Sequence, residues 1–258
     1  MTIGARTLRG AVGVAGFLAA AEAAIRTGLL DARLLPPPSV VLREAALLPA
    51  DPVFTAGLTG TVSRWLGGLA LAIALAVPLG VLLGSLPGVE RATRPLLEFL
   101  RPIPSVALIP LAILLVPDDF LMKVSVIVYA SLWPILINTV YGLREVDPLA
   151  KDSLRAFGFG RASVLLRVSL PSTAPFIVTG VRLSAGIALV LAVSAELLAG
   201  GAEGLGVFVI RAGSGNRTDL MLAAVLWAGL GGMACNAALV AAERRVFRWH
   251  HLRSGVAS

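Results

Sequence analysis

From Leu66 to Leu86 the sequence reads LGGLALAIALAVPLGVLLGSL, a run without a single charged side chain. A helix crosses the ~30 Å hydrocarbon layer of a bilayer with about 20 apolar residues, so this stretch is long enough to span by itself. Pro78 lies within it, a breaker that membrane helices tolerate where neighbours resatisfy the backbone. Leu220 to Ala242 is a second clear run, and Val124 to Leu143 a further one, with Trp133-Pro134 at its middle. Two further candidates carry charge, the first of them the weakest. Gly10 to Ile25 is rich in Ala and Gly and carries Glu22, and Ala174 to Gly200 contains both Arg182 and Glu196.

The remaining apolar segment is irregular. After the basic residues Arg91, Arg94 and Arg101 the chain reads Pro102-Ile103-Pro104-Ser105-Val106-Ala107-Leu108-Ile109-Pro110 and stays uncharged to Pro117. Broken backbone at membrane depth survives only against protein or a water-lined cavity, which makes Pro104 and Ser105 candidate pathway residues. Asp118-Asp119 then reads as a tight turn in water. The fold expected is all-α, a polytopic membrane protein of about six transmembrane helices. Its parts are an N-terminal transmembrane helix with an outer connecting segment (1–52), a core (53–249) holding a loop at 144–171, and a tail (250–258). Leu35-Pro36-Pro37-Pro38-Ser39 interrupts the first part, and a short amphipathic stretch, Val40 to Leu48, follows at the surface.

Composition agrees: 57% of residues are hydrophobic and 14% charged, against roughly 25% charged in soluble domains. The formal charge of +7 is no sign of a nucleic-acid partner, because the arginines sit between apolar segments. Cys235 stands alone inside an apolar run, so no disulfide or cysteine metal site forms within one chain. His250 and His251 are adjacent and point different ways on a helix, so no metal site is expected there either. Arg6 and Arg9 before the first apolar stretch resemble a signal peptide, but Glu22 and Arg26 follow without a small-residue cleavage pattern, and the reading is a retained first span. Lysine and arginine are enriched in loops that face the cytoplasm. Six spans with a cytoplasmic N-terminus put the Arg91 to Arg101 loop, the Arg144 to Arg167 loop and the Arg244, Arg245, Arg248, Arg253 tail on that side, so both termini are expected there. Were the first span peripheral, only the N-terminus would change sides.

The section Asp147 to Pro171 reads as two short amphipathic helices broken by glycines, the first opening on Asp147 as cap and Pro148 in the first turn. Leu154 and Phe157 are three apart and share a helical face. Such an apolar pair on a loop has two destinations, this protein's own helix ends and the lipid headgroups, or a docking partner.

The motif decides between them by resemblance. Asp152, Ser153, Leu154, Gly158, Val168, Leu170 and Pro171 keep both long spacings of the coupling motif of importer permeases in the ATP-binding-cassette (ABC) family: Glu-Ala-Ala, three residues, Gly, nine residues, Ile, any residue, Leu-Pro. Asp-Ser-Leu replaces Glu-Ala-Ala, with the acid kept at the first position. Over roughly Thr61 to Trp249 the chain resembles the nitrate, taurine and alkanesulfonate permeases. The stretches concerned are Leu100 to Leu111, Pro134 to Thr139, Gly180-Val181-Arg182, Ala195-Glu196 and Gly204-Leu205-Gly206. Leu115-Val116-Pro117 departs from the aromatic-glycine pair that many members have there.

The resemblance implies a type I ABC importer permease core in a bacterial inner membrane. It implies a second permease copy as partner, with a homodimer expected, an ABC ATPase dimer docked on the two coupling loops, and an extracytoplasmic solute-binding protein. It implies a translocation pathway for a small polar solute, nitrate, a sulfonate or a taurine-like anion, and places Asp152, Ser153, Leu154, Arg155, Phe157, Gly158, Val168, Leu170 and Pro171 at the ATPase contact. The chain has no Gly-x-x-x-x-Gly-Lys phosphate loop, its only lysines being Lys123 and Lys151 after Met122 and Ala150. It is not expected to be an enzyme: ATP and Mg belong on the partner, and no catalytic or metal-binding group is expected here.

Charges inside spans are costly enough to mark function. Glu196 either lines the pathway or a gate, or reaches the outer interface to pair with Arg211 or Arg217. Arg182 snorkels or bonds the coupling section in preference to touching substrate. Asn138 lines the pathway or joins two helices. An ion-coupled secondary transporter is the alternative, with Glu22 and Glu196 its only candidate membrane acids. An intramembrane enzyme lacks a nucleophile, base or metal set in the spans.

Overall fold

The computed structural model describes residues 3–31 and 34–246, which form helices with no strand among them. In chain order the helices are α1 (Ile3–Arg26), α2 (Pro38–Leu47), α3 (Pro52–Ser85), α4 (Pro87–Leu100), α5 (Ile109–Leu115), α6 (Asp119–Arg144), α7 (Pro148–Ala156), α8 (Arg161–Val164), α9 (Leu170–Ala199), α10 (Leu205–Ser214) and α11 (Thr218–Val246). Five helices are long and apolar enough to cross a membrane, α8 and α9 counting as one continuous helix. A sixth span results if α4 and Ser105–Leu115, bent by 82° at the prolines, are taken together. The fold is therefore all-α and polytopic, as expected. The tail 250–258, with His250 and His251, lies outside the described residues, as do Arg33, Arg248 and Arg253.

The helices pack as two units. One combines the chain up to Gly60 with Ala202–Leu230, and the other combines Thr61–Gly201 with the chain from Gly231 onward. In the first unit Asp51 caps α3, accepting from the Val53 amide at 2.8 Å, with Pro52 opening the helix. Phe54, 1% exposed, meets Phe208 edge-on at 5.4 Å and Trp227 at 6.0 Å, and the indole N–H of Trp227 donates to the Ala45 carbonyl at 2.8 Å. Glu22 accepts from Arg26 at 2.6 Å and from the amide and hydroxyl of Ser39 at 3.0 and 2.8 Å, so it pairs with its own helix and caps the start of α2. That is a structural duty.

The second unit is built on close helix approach. Gly68, Ala72, Ala76, Gly80 and Gly84 recur every four residues along α3 and lie on one face. A Cβ on Gly68 would sit 2.5 Å from Ile127, one on Gly80 2.7 Å from Thr139, and one on Gly84 2.8 Å from Leu143. α9 presents a matching row to α6. A Cβ on Gly180 would come within 2.9 Å of the Pro134 carbonyl, and Ser184, Ala188, Ala192 and Ala195 beyond it are buried. In a bilayer, where lipid is as apolar as leucine, helices associate through such small-residue contacts and through polar bonds between them. One such bond is made here, the Ser184 hydroxyl donating to the Ser131 carbonyl at 2.6 Å.

Three expectations change. α3 begins at Pro52, well before Leu66: Thr61 and Arg64, ahead of the uncharged run, are helical and satisfied by partners inside the bundle. Asp118-Asp119 is not a free turn: Asp118 caps α6 by accepting from the Leu121 amide at 2.7 Å, and Asp119 is already helical. The second half of the 144–171 section is no separate short helix but runs from Arg161 directly into α9. The join is a π turn, Leu165–Ser169, in which the Leu170 amide reaches back to the Leu165 carbonyl. Pro171 follows at once. Lacking an N–H and crowding the carbonyl four residues earlier, it favours a widened turn over a regular α ladder.

Candidate functional site

The coupling section starts from an N-terminus fixed by its sequence. Asp147 accepts from the Leu149 amide at 2.8 Å and Pro148 takes the first helical position of α7. Lys151 reaches back to the Leu143 carbonyl at 3.2 Å, tying α7 to the last turn of α6, and Arg144 in that turn pairs with Glu90 of α4. α7 stops at Gly158 for a backbone reason. With φ at +81°, Gly158 turns the chain left-handed, its amide bonding the Arg155 carbonyl at 2.9 Å and the Phe159 amide the Leu154 carbonyl at 3.1 Å. This pair of bonds is the Schellman stop, and glycine holds it without a Cβ clash. The Arg167 guanidinium lies 5.0 Å over the Phe159 ring and braces the far side of the turn.

The resulting loop is a short rigid helix with an outward face. Leu149 is 72% and Phe157 82% exposed, with Asp152 and Ser153 also exposed on α7. Arg155 pairs with Asp152 at 2.9 Å, and the Ser153 hydroxyl donates to the Leu149 carbonyl at 2.8 Å. Leu154 is half-buried, so Leu154 and Phe157 do not form the shared exposed pair expected from their spacing; Leu149 is the exposed leucine of α7 instead. Val168 and Leu170 are half-buried at the π turn, which packs against α7, and Pro171 is exposed.

The four expected pathway residues lie on three separate segments. Pro104 is exposed and precedes a single 3₁₀ turn, Ser105–Leu108, of which Ser105 is the first residue. Asn138 donates to the Pro134 carbonyl of its own helix at 2.8 Å and packs where Gly180 meets α6. A cavity of about 280 Å³ runs between α4 and α6, lined by Arg94, Glu98, Arg101, Trp133, Ile137 and Tyr141 among others, and none of the four lines it.

Glu196 is 0% exposed on α9. Both its oxygens accept from the Thr61 hydroxyl, at 2.9 and 2.8 Å, and one accepts from Arg64 at 3.1 Å. Arg64 continues to Asp119 at 3.6 Å, and Asp119 pairs with Lys123 at 2.7 Å. The wholly buried Lys123 also donates to the Gly200 carbonyl at 2.7 Å. Two cations and two acids thus cross-link α3, α6 and the end of α9 in a neutral cluster, the arrangement that makes ionised groups tolerable out of water. Sequence reading missed this cluster. The usable signals were the Asp51-Pro52 helix start, which puts Arg64 inside a helix, and the four-residue spacing of Asp119 and Lys123. Arg182 bonds Glu243 of α11 at 3.0 Å, not the coupling section.

The chain is similar to known transport proteins in sequence and in fold. Residues 76–248 match the family model described as "Binding-protein-dependent transport system inner membrane component". The nitrate import permease protein NrtB of Leptolyngbya laminosa is 31% identical over 78% of this chain and 75% of its own length. The taurine transport system permease protein TauC of Escherichia coli is 29% identical over 86% of this chain and 82% of its own. Among solved structures, the inward-facing MetNI methionine ABC transporter superposes with a TM-score of 0.67 at 18% identity, covering 77% of this chain and 98% of the matched one, a likeness of fold.

Proposed function

We propose that this chain, which belongs to the family of binding-protein-dependent transport system inner membrane components, carries a small anion across the bacterial inner membrane, powered by a separate ATPase. The observation that carries the reading is the outward face of α7. Leu149 and Phe157 stand almost fully in solvent on a helix clamped at both ends, a surface that gains only by being covered. An ABC ATPase dimer, binding ATP and Mg on its own subunits, docks there, one subunit on each loop of a permease homodimer. Both termini lie on the cytoplasmic side with the loop, and a solute-binding protein delivers cargo to the opposite face.

A push on α7 reaches the membrane by two routes. The Lys151 bond to the Leu143 carbonyl leads into α6, and the continuous helix from Arg161 leads into α9. Because α6 and α9 touch through small residues along their length, they move together and change the opening beside them.

Nitrate and taurine are the cargoes in the names of two relatives, and the cavity between α4 and α6 carries one cation more than its acids, Arg94 pairing with Glu98 and Arg144 with Glu90 while Arg101 is left over. Arg94 and Arg101 line it, and the Trp133 indole N–H beside it is buried without an acceptor among the described residues. Co-purification with the cognate ATPase tests the coupling half: wild type retains it, and Gly158→Arg loses it with the membrane fold intact. Retention by the variant sinks that half. ATP-driven uptake of nitrate or taurine into proteoliposomes containing all subunits tests the cargo half, and uptake confined to neutral or cationic solutes would refute it.

A further inference from the structure

Lys151, Arg155 and Arg161 border one cavity of about 490 Å³, and no acidic side chain lines it among the described residues. Leu86, Leu143 and Leu165 give it an apolar wall. Three like charges around one space repel, and the protein relieves this only in part. Arg155 is held by Asp152 at 2.9 Å, with both side chains more than half exposed. Lys151 donates to the Leu143 carbonyl, a neutral acceptor that leaves its charge uncompensated. The Arg161 guanidinium makes no hydrogen bond or ion pair among the described residues.

The cavity also lies where membrane helices stop. Ser85, which lines it, ends α3, and Leu143 is in the last turn of α6. Ends of apolar helices sit at the level of the lipid headgroups, and basic pockets there on the cytoplasmic side match anionic lipids. We propose that this cavity binds the phosphate of an anionic phospholipid, with Lys151 and Arg161 as its cationic partners and an acyl chain against the leucine wall. Lys151 belongs to α7, whereas Arg161 opens the helix that enters α9, so the bound lipid bridges the two halves of the coupling section. The proposal rests on the preceding reading only for the leaflet that faces the cavity.

The test uses the full chain purified with its ATPase, stripped of lipid, and titrated with phosphatidylglycerol, phosphatidylcholine or inorganic phosphate, with bound lipid counted by native mass spectrometry. One phosphatidylglycerol per chain is expected to remain where phosphatidylcholine washes away, and excess inorganic phosphate leaves it in place. Arg161→Gln weakens its binding roughly fivefold, and Lys151→Gln with Arg161→Gln roughly thirtyfold. Equal retention of both lipids, or unchanged binding in Arg161→Gln, overturns the proposal. Displacement by inorganic phosphate also overturns it, making the cavity a free-anion site. Arg161 has no partner in the fold to lose, so its single variant decides the matter even where the double variant unfolds. ATPase retention is scored in the same samples: its loss with lipid still bound breaks the coupling reading and leaves this one standing.

Discussion

Replacing Glu196 by glutamine removes one charge from a place water does not reach. The carboxylate is 0% exposed and takes hydrogen bonds from Thr61 and Arg64. Neutralising one partner of a buried pair costs about 3–5 kcal/mol, because the other charge stays desolvated. Two features put this site at the low end: the Arg64 side chain keeps 10% exposure, and Asp119 remains 3.6 Å from it. The expected loss is therefore about 3 kcal/mol, roughly a hundredfold in the unfolding equilibrium. Unfolding by SDS titration in mixed micelles, run on wild type, Glu196→Gln, Arg64→Gln and the double variant, closes a cycle. The double variant should lose less than the sum of the single ones by about 1–3 kcal/mol. Additivity, with Glu196→Gln as stable as wild type, refutes the structural role. If such a stable variant also lost uptake, Glu196 would belong to the transport pathway instead.

Other outcomes follow from the same geometry. Gly158→Ala should cost about 1–2 kcal/mol at the α7 stop and weaken ATPase binding, with Gly158→Asn milder, since asparagine accepts the left-handed turn; pull-down affinities rank the three proteins. Leu149→Ser with Phe157→Ser should leave the unfolding midpoint unchanged while abolishing ATPase retention, because both side chains stand in solvent in the isolated chain. Gly80→Ala and Gly186→Ala should move SDS stability in opposite directions. The first forces a Cβ to 2.7 Å from Thr139 and costs about 1–3 kcal/mol, and the second meets nothing within 4 Å and gains up to about 1 kcal/mol of helix propensity. Arg182→Gln and Glu243→Gln should each lower stability and fail to add when combined, a second cycle on the bond between α9 and α11.

The membrane helices were legible because the bilayer demands long uncharged runs, and Leu66 to Leu86 or Leu220 to Ala242 admit no other use. The stop of α7 was legible for a similar reason, since Asp147-Pro148 and Gly158 are local backbone signals. Polar residues inside the bundle were not. Thr61 and Arg64 stand outside the uncharged run until Glu196, far away in sequence, is seen to satisfy them, and the Asp119 and Lys123 pair shows only once both are placed on one helix. The same holds for Asn138, whose amide turns back on its own helix at Pro134. Hydropathy reports what a residue costs in lipid, but not whether a partner meets it there. Leu154 shows the limit of spacing, because periodicity names a shared face without saying which face the fold covers.

The π turn at Leu165–Ser169 sets an angular register. One residue more than an α ladder needs is held in that turn, and each residue advances a helix by about 100°. The wider turn advances less per residue, so the extra residue is absorbed and the faces on either side keep their phase. Deleting a single residue there should let the ladder close as a regular α-helix with the Gly180, Ser184 and Ala188 row still turned to α6. The same deletion in the regular stretch between Pro171 and Gly180 would rotate one side by about 100° against the other, with no wide turn to take it up. Length is thus free by one residue inside the turn and fixed just beyond it, and a one-residue deletion there should uncouple the loop from the membrane without removing any residue that touches a partner.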